Sequence, residues 1–433
     1  MTLLERLGSV ARAAPDAVAW EEGALRATFG EVLRAVVEAA GALRAGATVE
    51  GQVLVVDGVT GLDVLVGALA VRRAGAAPLT LAPGSASPLP AAGHVRIEQG
   101  RVASVSFGSA AAGEAAWIRA TSGSSGLSRA IAFDEAQAEW AAERAAAQLG
   151  DRPRTAIVGT VPPAGGYGWN ALVWAGWLRG CRVVLVPPTS PRSLLEAATA
   201  HDAAWLVTTP TLVRALARLP DVRARPSLRA LVSGDAFPTD AAATLLRRTG
   251  IAVLERYGAT EAGVVAQAIE PGGALRAVPD VKVTASGEPQ TLAIRSPGVG
   301  LGVLDSSGAL TRFHGAIATS DVVRFEGEGG FRVLRRADRV VKRAGRFVDL
   351  ARVEAALVAL PGVRLARVDV VPTALDVDLV AHVVPRAGAV LDPAAISTAL
   401  AGRLEPWERP VRVEVSAAES AHGKWTAAPE DGA

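Results

Sequence analysis

A run of small polar residues followed by a cation is the stretch of this chain best suited to bind a phosphate. Its residues are Thr121, Ser122, Gly123, Ser124, Ser125, Gly126, Leu127, Ser128 and Arg129. Glycines permit backbone angles that other residues avoid, and a turn of this kind after a strand exposes N–H groups that bind phosphate oxygens. The apolar residues 115–118 precede the run, and Arg129 supplies a nearby positive charge. By itself the run is equally consistent with an ordinary Ser/Gly surface loop.

Lysine is rare in this chain. Only Lys282, Lys342 and Lys424 are present, so nearly all of the positive charge is arginine. A chain with this bias keeps a lysine either by chance or where an ammonium group does something that a guanidinium cannot. Lys424, close to the C-terminus, is therefore the most interesting candidate for a chemical role.

The bulk composition excludes several classes of protein. Half of the 433 residues are hydrophobic, which is enough for a large core and more than one domain. The formal net charge is +2 without a basic block, so neither nucleic acid nor an anionic membrane is an expected partner. The single cysteine, Cys181, excludes an intrachain disulfide and a cysteine-built metal site, and its apolar neighbours predict a buried side chain.

The N-terminal residues show no evident signal peptide. Residues 1–10 read as the start of an amphipathic helix and lack a long apolar core. The longest apolar stretch, 64–71, ends at Arg72 and is too short to span a membrane. We therefore expect a soluble, cytoplasmic protein without a membrane span.

The elements that must position the candidate residues alternate between strands and helices. Apolar runs predict buried strands at 53–57, 77–81, 156–159, 182–186, 205–208 and 230–235. Helical periodicity predicts helices at 3–14, 29–45, 61–74, 135–149, 193–200, 210–219 and 239–249, and a further helix that follows the loop 164–170 and ends at 178. This alternation predicts an α/β fold with parallel sheets. Short strands and glycine turns at 281–333 predict a small antiparallel or barrel-like element.

A charged junction at 335–339 separates this large region from a smaller one. Helices are predicted in the smaller region at 353–360 and 394–404, and strands at 365–371, 378–384 and 411–415. This is a compact α+β unit of ordinary small-domain size. The sequence therefore predicts two domains, 1–335 and 336–433.

Five features in a fixed order give the chain a resemblance to a known family. They are residues 121–129, residues 257–261, Asp321, Arg336 and Lys424. Together they resemble the adenylate-forming superfamily, which contains acyl- and aryl-CoA ligases, nonribosomal peptide adenylation domains and luciferases. The resemblance covers essentially the whole chain. It implies a large N-terminal domain and a small, mobile C-terminal domain that carries the catalytic lysine.

The first feature resembles the family's phosphate loop, TSGSTG-x-PK. Ser125 replaces the second threonine, Ser128 replaces the proline and Arg129 replaces the lysine. Arginine keeps the charge but not the compact ammonium group, so its contact with pyrophosphate is expected to differ in detail. A Walker-type phosphate loop is excluded, because no G-x-x-x-x-G-K-[ST] pattern occurs in this stretch.

The second feature, Tyr257, Gly258, Ala259, Thr260 and Glu261, matches the family's YGxTE motif. The match implies that the aromatic ring and glycine lie against adenine, that Thr260 contacts the α-phosphate and that Glu261 holds Mg²⁺. A cation that bridges phosphate oxygens needs such a carboxylate. In isolation the segment also fits a strand-to-turn connection in which Thr260 caps a helix. Ser233, Gly234 and Asp235 resemble the segment that cradles adenine.

The remaining motifs lie around the predicted domain boundary and in the C-terminal domain. Residues 319–321 resemble the family's TGD with Ser320 replacing glycine, which implies that Asp321 accepts both ribose hydroxyls. Residues 335–342 resemble GRxDDxIK with Arg335 replacing glycine. That match implies a ribose or phosphate contact for Arg336, a hinge at Asp338 and a thiol approach near Gly345. Lys342 equally fits a solvated surface charge.

The last motif is a degenerate N-G-K segment. His422 replaces the asparagine, while Lys424 is kept. The resemblance implies that Lys424 reaches from the small domain to bridge the substrate carboxylate and the α-phosphate. Catalytic contacts are thus expected from Lys424, Thr260, Glu261 and Arg129.

The implied reaction converts a carboxylic acid and Mg·ATP into acyl-AMP and pyrophosphate, followed by transfer to coenzyme A or to a carrier-protein pantetheine. Peptide-forming relatives place an aspartate for the α-ammonium group where Tyr167 falls here, so a fatty or aryl acid is favoured over an amino acid. Gly168, Trp169 and Val264 are further acyl-pocket candidates, although core packing also explains the tryptophan.

Two other hypotheses about the function remain open. One is an adenylating loader for a separate carrier protein or amide-forming partner. The other is a degenerate homologue that binds nucleotide or acyl-adenylate without turnover. The second rests on the substitutions at five motif positions: Ser128, Arg129, Ser320, Arg335 and His422.

Overall fold

The chain divides into two compact units in the computed structural model. The structure describes residues 1–46, 49–81, 87–121, 129–150, 155–187, 190–220, 222–223, 225–234, 237–287, 290–343, 346–373, 377–416 and 426–427. The first unit comprises residues 1–319 and 323–333, and the second comprises residues 320–322 and 334–433. The domain boundary that the sequence predicts, 335/336, stays a prediction about functional domains.

Ten α-helices lie within the described residues. They are α1 (Leu3–Ala13), α2 (Phe29–Gly46), α3 (Gly61–Arg73), α4 (Glu135–Ala147), α5 (Ala175–Trp177), α6 (Pro191–Ala200), α7 (Pro210–Arg218), α8 (Thr239–Thr249), α9 (Leu350–Val358) and α10 (Pro393–Ala401). Capping boxes begin α1, α3 and α4, where Thr2, Thr60 and Asp134 accept backbone N–H groups. None of the helices in the described ranges is long and apolar enough to cross a membrane.

The strands are short, as the apolar runs predict. They are β1 (Val18–Glu22), β2 (Leu25–Thr28), β3 (Val53–Gly58), β4 (Ala77–Thr80), β5 (Gly93–Glu98), β6 (Arg101–Ser106), β7 (Trp117–Ala120), β8 (Ala130–Phe133), β9 (Ile157–Gly159), β10 (Val183–Leu185), β11 (Trp205–Thr208), β12 (Arg229–Val232), β13 (Ala252–Ala259), β14 (Gly263–Ala268), β15 (Leu275–Ala277), β16 (Lys282–Ser286), β17 (Thr291–Arg295), β18 (Gly302–Leu304), β19 (Leu310–Arg312), β20 (Ala316–Glu326), β21 (Gly330–Arg336), β22 (Val340–Arg343), β23 (Arg346–Asp349), β24 (Val363–Pro372), β25 (Val377–Pro385), β26 (Arg412–Val415) and β27 (Thr426–Ala427).

The largest sheet has a parallel centre and an antiparallel extension. Its strand order is β16-β17-β20-β21-β15-β14-β13-β12-β11-β9-β10-β1-β2. Neighbours from β1 through β10, β9, β11 and β12 to β13 are parallel, which confirms the predicted α/β fold. The predicted antiparallel region continues this sheet from β14 outward, while β18 and β19 join the second sheet.

The second sheet has the strand order β19-β18-β8-β7-β4-β3-β5-β6. Its middle strands are parallel, whereas β7 and β8 form an antiparallel pair whose connection holds the candidate phosphate loop. The outer hairpins β1–β2 and β5–β6 are not predicted by the sequence patterns. Their residues alternate between buried and solvent-facing positions or stay largely polar, so no continuous apolar run marks them.

Five buried tryptophans occupy the core beside the candidate site. They are Trp20, Trp117, Trp169, Trp174 and Trp177, and neighbouring rings meet mostly edge to face at 5.5–6.4 Å. Cys181 is buried, as predicted. The segment expected to be a helix up to residue 178 is a π-helix over Gly168–Trp174 that continues into α5. Wider turns of this kind often occur at functional sites.

The second unit is a small α+β module. Strands β26-β25-β24-β27 form its sheet, and α9 and α10 pack their apolar faces into its core. Glu354 of α9 is buried, forms an ion pair with Arg339 and accepts the backbone N–H of Val368 at 2.8 Å. This polar contact ties α9 to the turn that enters the unit and to β24.

Candidate active site

The two ends of the candidate phosphate loop are held together by hydrogen bonds. Ala120 of β7 pairs with Ala130 of β8, so the loop closes an antiparallel hairpin. The backbone N–H of Thr121 donates to the Arg129 carbonyl at 2.9 Å, and the Arg129 N–H donates to the Thr121 hydroxyl at 3.2 Å. Residues 122–128, with Ser122, Gly123, Ser124, Ser125, Gly126 and Ser128, lie outside the described residues.

The segment 257–261 forms the end of β13 and the turn into β14. Ala259 pairs with Gly263, and a register shift falls between Tyr257 and Gly258. A Cβ atom at Gly258 would lie 2.7 Å from the Gly263 carbonyl oxygen, so only glycine fits this position. Thr260 lies in the hairpin turn. The alternative in which Thr260 caps a helix is therefore wrong, because the chain turns directly into a strand.

Arg129 and Glu261 meet although 132 residues separate them in the sequence. The Arg129 Nη2 atom lies 2.5 Å from Glu261 Oε1. Roughly half of the Arg129 side chain is exposed, whereas Glu261 is mostly covered. The ends of the two motifs thus converge, and a cation and a carboxylate face the same region. This is the arrangement needed to hold a phosphate and its metal counter-ion together.

The aromatic residue of the second motif is fixed by packing. The Tyr257 ring meets Phe331 edge-on, with centroids 6.0 Å apart and planes at 86°. Ser233 and Gly234 follow β12 directly, and Gly234 adopts a positive φ of 114°. Both segments therefore lie at the carboxyl ends of neighbouring parallel strands, where open α/β sheets bind ligands. Asp235 lies outside the described residues.

Tyr167 lies at the same sheet edge. Its hydroxyl donates to the Leu231 carbonyl at 2.8 Å and lies 3.4 Å from the Thr208 carbonyl, near the ends of β12 and β11. Burial raises the pKa of the Tyr167 phenol above its usual range, an effect that the positive charge of Arg256 opposes. The phenol therefore stays neutral and offers no negative charge to an α-ammonium group.

The other acyl-pocket candidates are buried. Gly168 passes so close to Pro162 that a Cβ atom would lie 2.1 Å from its carbonyl oxygen. Trp169 belongs to the tryptophan cluster, and Val264 belongs to the core of the antiparallel extension. Packing accounts for both side chains, and their role in an acyl pocket stays a prediction.

Arg119 is a buried cation, close in sequence to the candidate phosphate loop, that the sequence motifs do not include. Its guanidinium lies 4.5 Å from the ring centre of Trp169, and only 7% of the residue is exposed. Burial lowers the pKa of Arg119 to about 9, because the charged form loses hydration. The signal in the sequence was a charged residue in an apolar strand, two positions before Thr121.

Arg256 is a second buried cation that the sequence motifs do not include. It is 4% exposed and sits directly before Tyr257 on β13. Its Nε and Nη2 atoms donate to Gln267 Oε1 at 3.1 and 3.0 Å, while Nη1 has no partner within the described residues. Burial lowers the pKa of Arg256 to about 10, and Tyr167 opposes this effect.

The candidate ribose contacts belong to the second unit and contact each other. Arg336 Nη1 lies 3.4 Å from Asp321 Oδ1, and the Asp321 side chain is mostly covered. The ion pair keeps the Asp321 carboxylate in place as an acceptor. The Asp338 side chain, Gly345 and Lys424 lie outside the part of the chain that the structure describes.

The residues present fit a magnesium ion bound mainly through phosphate oxygens. Within the described ranges, no group of three or more His, Cys, Asp or Glu side chains could form a complete protein cage for a metal. Mg²⁺ is typically held by one or two carboxylates together with substrate phosphates and water. Glu261 beside the phosphate loop meets that requirement.

Comparison with known proteins agrees with this geometry. Residues 97–310 match the model of the AMP-binding enzyme family, and this segment includes both 121–129 and 257–261. In this segment, just under half of its length, the chain resembles the adenylate-forming superfamily. ATP-bound MatB from Rhodopseudomonas palustris, a solved structure, has a TM-score of 0.75 at 20% identity, covering 98% of this chain and 97% of that one. At that identity the likeness establishes the fold alone.

Two curated relatives match this chain over part of their own length. Feruloyl-CoA synthase from an Amycolatopsis species is 30% identical over 259 residues, 55% of this chain and 52% of that protein. L-proline:L-prolyl-carrier protein ligase from Pseudomonas fluorescens is 27% identical over 294 residues, 61% of this chain and 57% of that protein. The chain thus spans about half the length of the curated relatives it matches.

Proposed function

We propose that this protein is an AMP-forming acid–thiol ligase. It activates a carboxylic acid, with fatty or aryl acids favoured, and transfers the acyl group to a thiol. The observation that carries the proposal is the convergence of Arg129 and Glu261 at the mouth of the hairpin loop. The match of residues 97–310 to the AMP-binding enzyme family and the names of the two relatives, a CoA synthase and a carrier-protein ligase, support the same reaction class.

The first step forms one bond and breaks one bond. A carboxylate oxygen of the acid attacks the α-phosphorus of ATP, and the bond from that phosphorus to the oxygen bridging the β-phosphate breaks. Acyl-AMP forms and pyrophosphate leaves, so positioning and charge neutralisation matter more than a general base. Arg129 neutralises the departing pyrophosphate, and Thr260 donates toward the α-phosphate. Glu261 would hold Mg²⁺, which would supply further positive charge at the phosphates.

The second step is thiol attack on the acyl carbonyl, which releases AMP. The acceptor is coenzyme A or the pantetheine of a separate carrier protein. In this proposal the domain 336–433 turns about Asp338, moves Lys424 away and opens the thiol approach near Gly345. Asp321 and Arg336 hold the ribose, and Ser233, Gly234 and Asp235 border adenine. A cytoplasmic location would supply ATP and either acceptor.

The test is acid-dependent pyrophosphate release from ATP and Mg²⁺ with a panel of carboxylic acids. Lys424→Ala should lower release by about 100-fold or more, because one positioned charge in a dry site contributes several kcal/mol. Lys282→Ala, which alters an exposed lysine on β16, is the matched control and should keep full activity. No release with any acid, or an unaffected Lys424→Ala, would instead support the degenerate homologue that binds without turnover.

Adding acceptors to the same reaction identifies the second step. Coenzyme A and a pantetheinylated carrier protein are supplied in parallel, and thioester formation is followed directly. A thioester with either one supports the ligase, and the better substrate identifies the acceptor class. Acyl-AMP that accumulates without transfer to either thiol would contradict the second step and leave only adenylation.

A further inference from the structure

Two buried arginines of the first unit have no carboxylate to neutralise them. Arg119 is 7% exposed and Arg256 is 4% exposed. Within the described residues neither forms a salt bridge: Arg119 lies over an indole ring, and Arg256 bonds a neutral amide. A buried charge without a partner costs several kcal/mol, so folding gains nothing from keeping both guanidinium groups.

Both arginines approach the same short segment from different sheets. Arg119 comes from β7 of the second sheet and covers the Trp169 ring. Arg256 comes from β13 of the large sheet, beside β12, whose Leu231 carbonyl accepts the Tyr167 hydroxyl at 2.8 Å. The segment 167–169 is the one that the sequence assigns to the acyl pocket. Two positive charges therefore border the place where the acid substrate is expected.

The hydrogen bonding of Arg256 leaves a donor without a partner. Gln267 Oε1 accepts from Nε and Nη2, while Nη1 is buried and unpaired in the described structure. An orphaned buried donor costs about 1–3 kcal/mol, more when it is charged. Guanidinium donors match carboxylate oxygens in geometry and charge, so a ligand carboxylate would satisfy this donor.

We propose that the acid substrate carries a second carboxylate, away from the one that is activated, and that Arg256 binds it with Arg119 as the second positive charge. This inference rests on the proposed function and narrows its substrate class to dicarboxylic acids. The second carboxylate stays unreacted: only the carboxylate at the α-phosphorus forms a bond. The two arginines determine specificity and take no part in the chemical step.

The experiment compares acids in pairs of matched size. Straight-chain dicarboxylic acids are set against monocarboxylic acids with the same number of carbons. Benzene-1,4-dicarboxylate is set against 4-methylbenzoate. In at least one pair the wild type should prefer the dicarboxylic acid by about 10- to 100-fold in kcat/KM, the range expected of one charged hydrogen-bonded contact. The readout is pyrophosphate release at saturating Mg·ATP.

Arg256→Met should remove this preference. KM for the dicarboxylic acid should rise by about 10-fold or more while kcat changes little, because the contact is equally strong before and during reaction. The monocarboxylic partner should be used as well as before or better. Arg256→Lys keeps the charge without the planar fork and should recover part of the preference. Arg229→Met is the matched control: Arg229 is exposed and lies 5.9 Å from the Trp205 ring centre.

A measurement without turnover keeps the proposal separate from the proposed function. The dicarboxylic acid of the preferred pair should by itself raise the unfolding temperature of the wild type more than its monocarboxylic partner does, and Arg256→Met should abolish the difference. Monocarboxylic acids preferred throughout, or a preference unchanged in Arg256→Met, would overturn the dicarboxylate proposal while leaving the ligase intact. Selective dicarboxylate binding without any pyrophosphate release would keep this proposal and refute the ligase.

Discussion

Replacing Arg119 by methionine should stabilise the protein, which is an unusual outcome for a change in a packed core. The arginine is almost fully buried between β7 and the Trp169 ring, and it has no ion-pair partner within the described residues. Methionine fills a similar elongated space with an unbranched apolar chain. The change therefore removes an uncompensated charge without opening a large cavity.

The size of the effect follows from the lowered pKa. Burial lowers the pKa of Arg119 to about 9. At 1.36 kcal/mol for each pKa unit, this corresponds to about 5 kcal/mol spent on keeping the guanidinium charged. The contact with the Trp169 ring returns about 2 kcal/mol, and packing of the aliphatic stem returns some more. The expected net gain for Arg119→Met is thus about 1–3 kcal/mol.

Urea unfolding followed by tryptophan fluorescence measures this gain. The urea concentration at half-unfolding should rise. The dependence of the unfolding free energy on urea concentration should stay constant, since the surface exposed on unfolding barely changes. The difference from wild type should be constant below about pH 8 and shrink as the pH rises past 9. The sign follows because the folded protein releases this proton before the unfolded chain does, so wild-type stability rises with pH in that range.

Arg229→Met serves as the control for losing an exposed arginine beside an indole, and it should change stability by less than about 0.5 kcal/mol. A loss of 1 kcal/mol or more in Arg119→Met would refute the reasoning, because it would mean that the guanidinium stabilises the fold. A gain that persists unchanged at high pH would refute the electrostatic origin.

Three further predictions concern the packing around the site and the second unit. Glu354→Gln should destabilise the second unit by about 3–5 kcal/mol in thermal unfolding, because Arg339 then loses its buried counter-charge; an unchanged unfolding temperature would contradict this. Gly168→Ala should lower both the stability and the affinity for the acid, because its Cβ would clash with the Pro162 carbonyl, whereas Gly166→Ala meets nothing and should be silent. In an ultraviolet titration, the tyrosinate signal that Tyr167→Phe removes should appear only at a pH above the usual pKa of tyrosine, because burial raises the pKa of Tyr167. The unfolded chain then ionises this phenol first, so the stability of the fold should fall as the pH rises past about 10. If Tyr167→Phe instead removed a tyrosinate signal that appears at about pH 10, the usual pKa of tyrosine, the phenol would not be buried.

Much of the fold could be predicted because parallel strands buried on both faces read as continuous apolar runs. The runs at 205–208 and 230–235 correspond to β11 and β12, although β12 ends at Val232, where the small residues before the candidate site begin. The outer hairpins carry no such run, because one face of an edge strand meets water. A helix ending at 178 was predicted, but its π form over 168–174 was not, since the wider turns leave no separate periodicity in a tryptophan-rich segment.

The site was partly predictable for a different reason. Arg129 and Glu261 each belong to a motif, and the motifs imply that they share a ligand, so their meeting was expected. Arg119 and Arg256 lie outside the motif positions. From local sequence alone, a charged side chain is expected to be exposed to solvent. Only the packing of the two sheets around the segment 167–169 buries Arg119 and Arg256. The residues proposed to select the acid substrate are therefore harder to predict from the sequence than the motif residues that indicate the reaction.

The most direct test of the account is the fate of ATP when an acid is present. ATP labelled at the α-phosphate is incubated with Mg²⁺, the wild-type protein and a matched panel of monocarboxylic and dicarboxylic acids. We predict acid-dependent conversion of the label into acyl-AMP and AMP, with one pyrophosphate for each acid activated. Label appearing in ADP, or nucleotide cleavage that does not depend on any acid, would contradict the assignment of an adenylate-forming ligase.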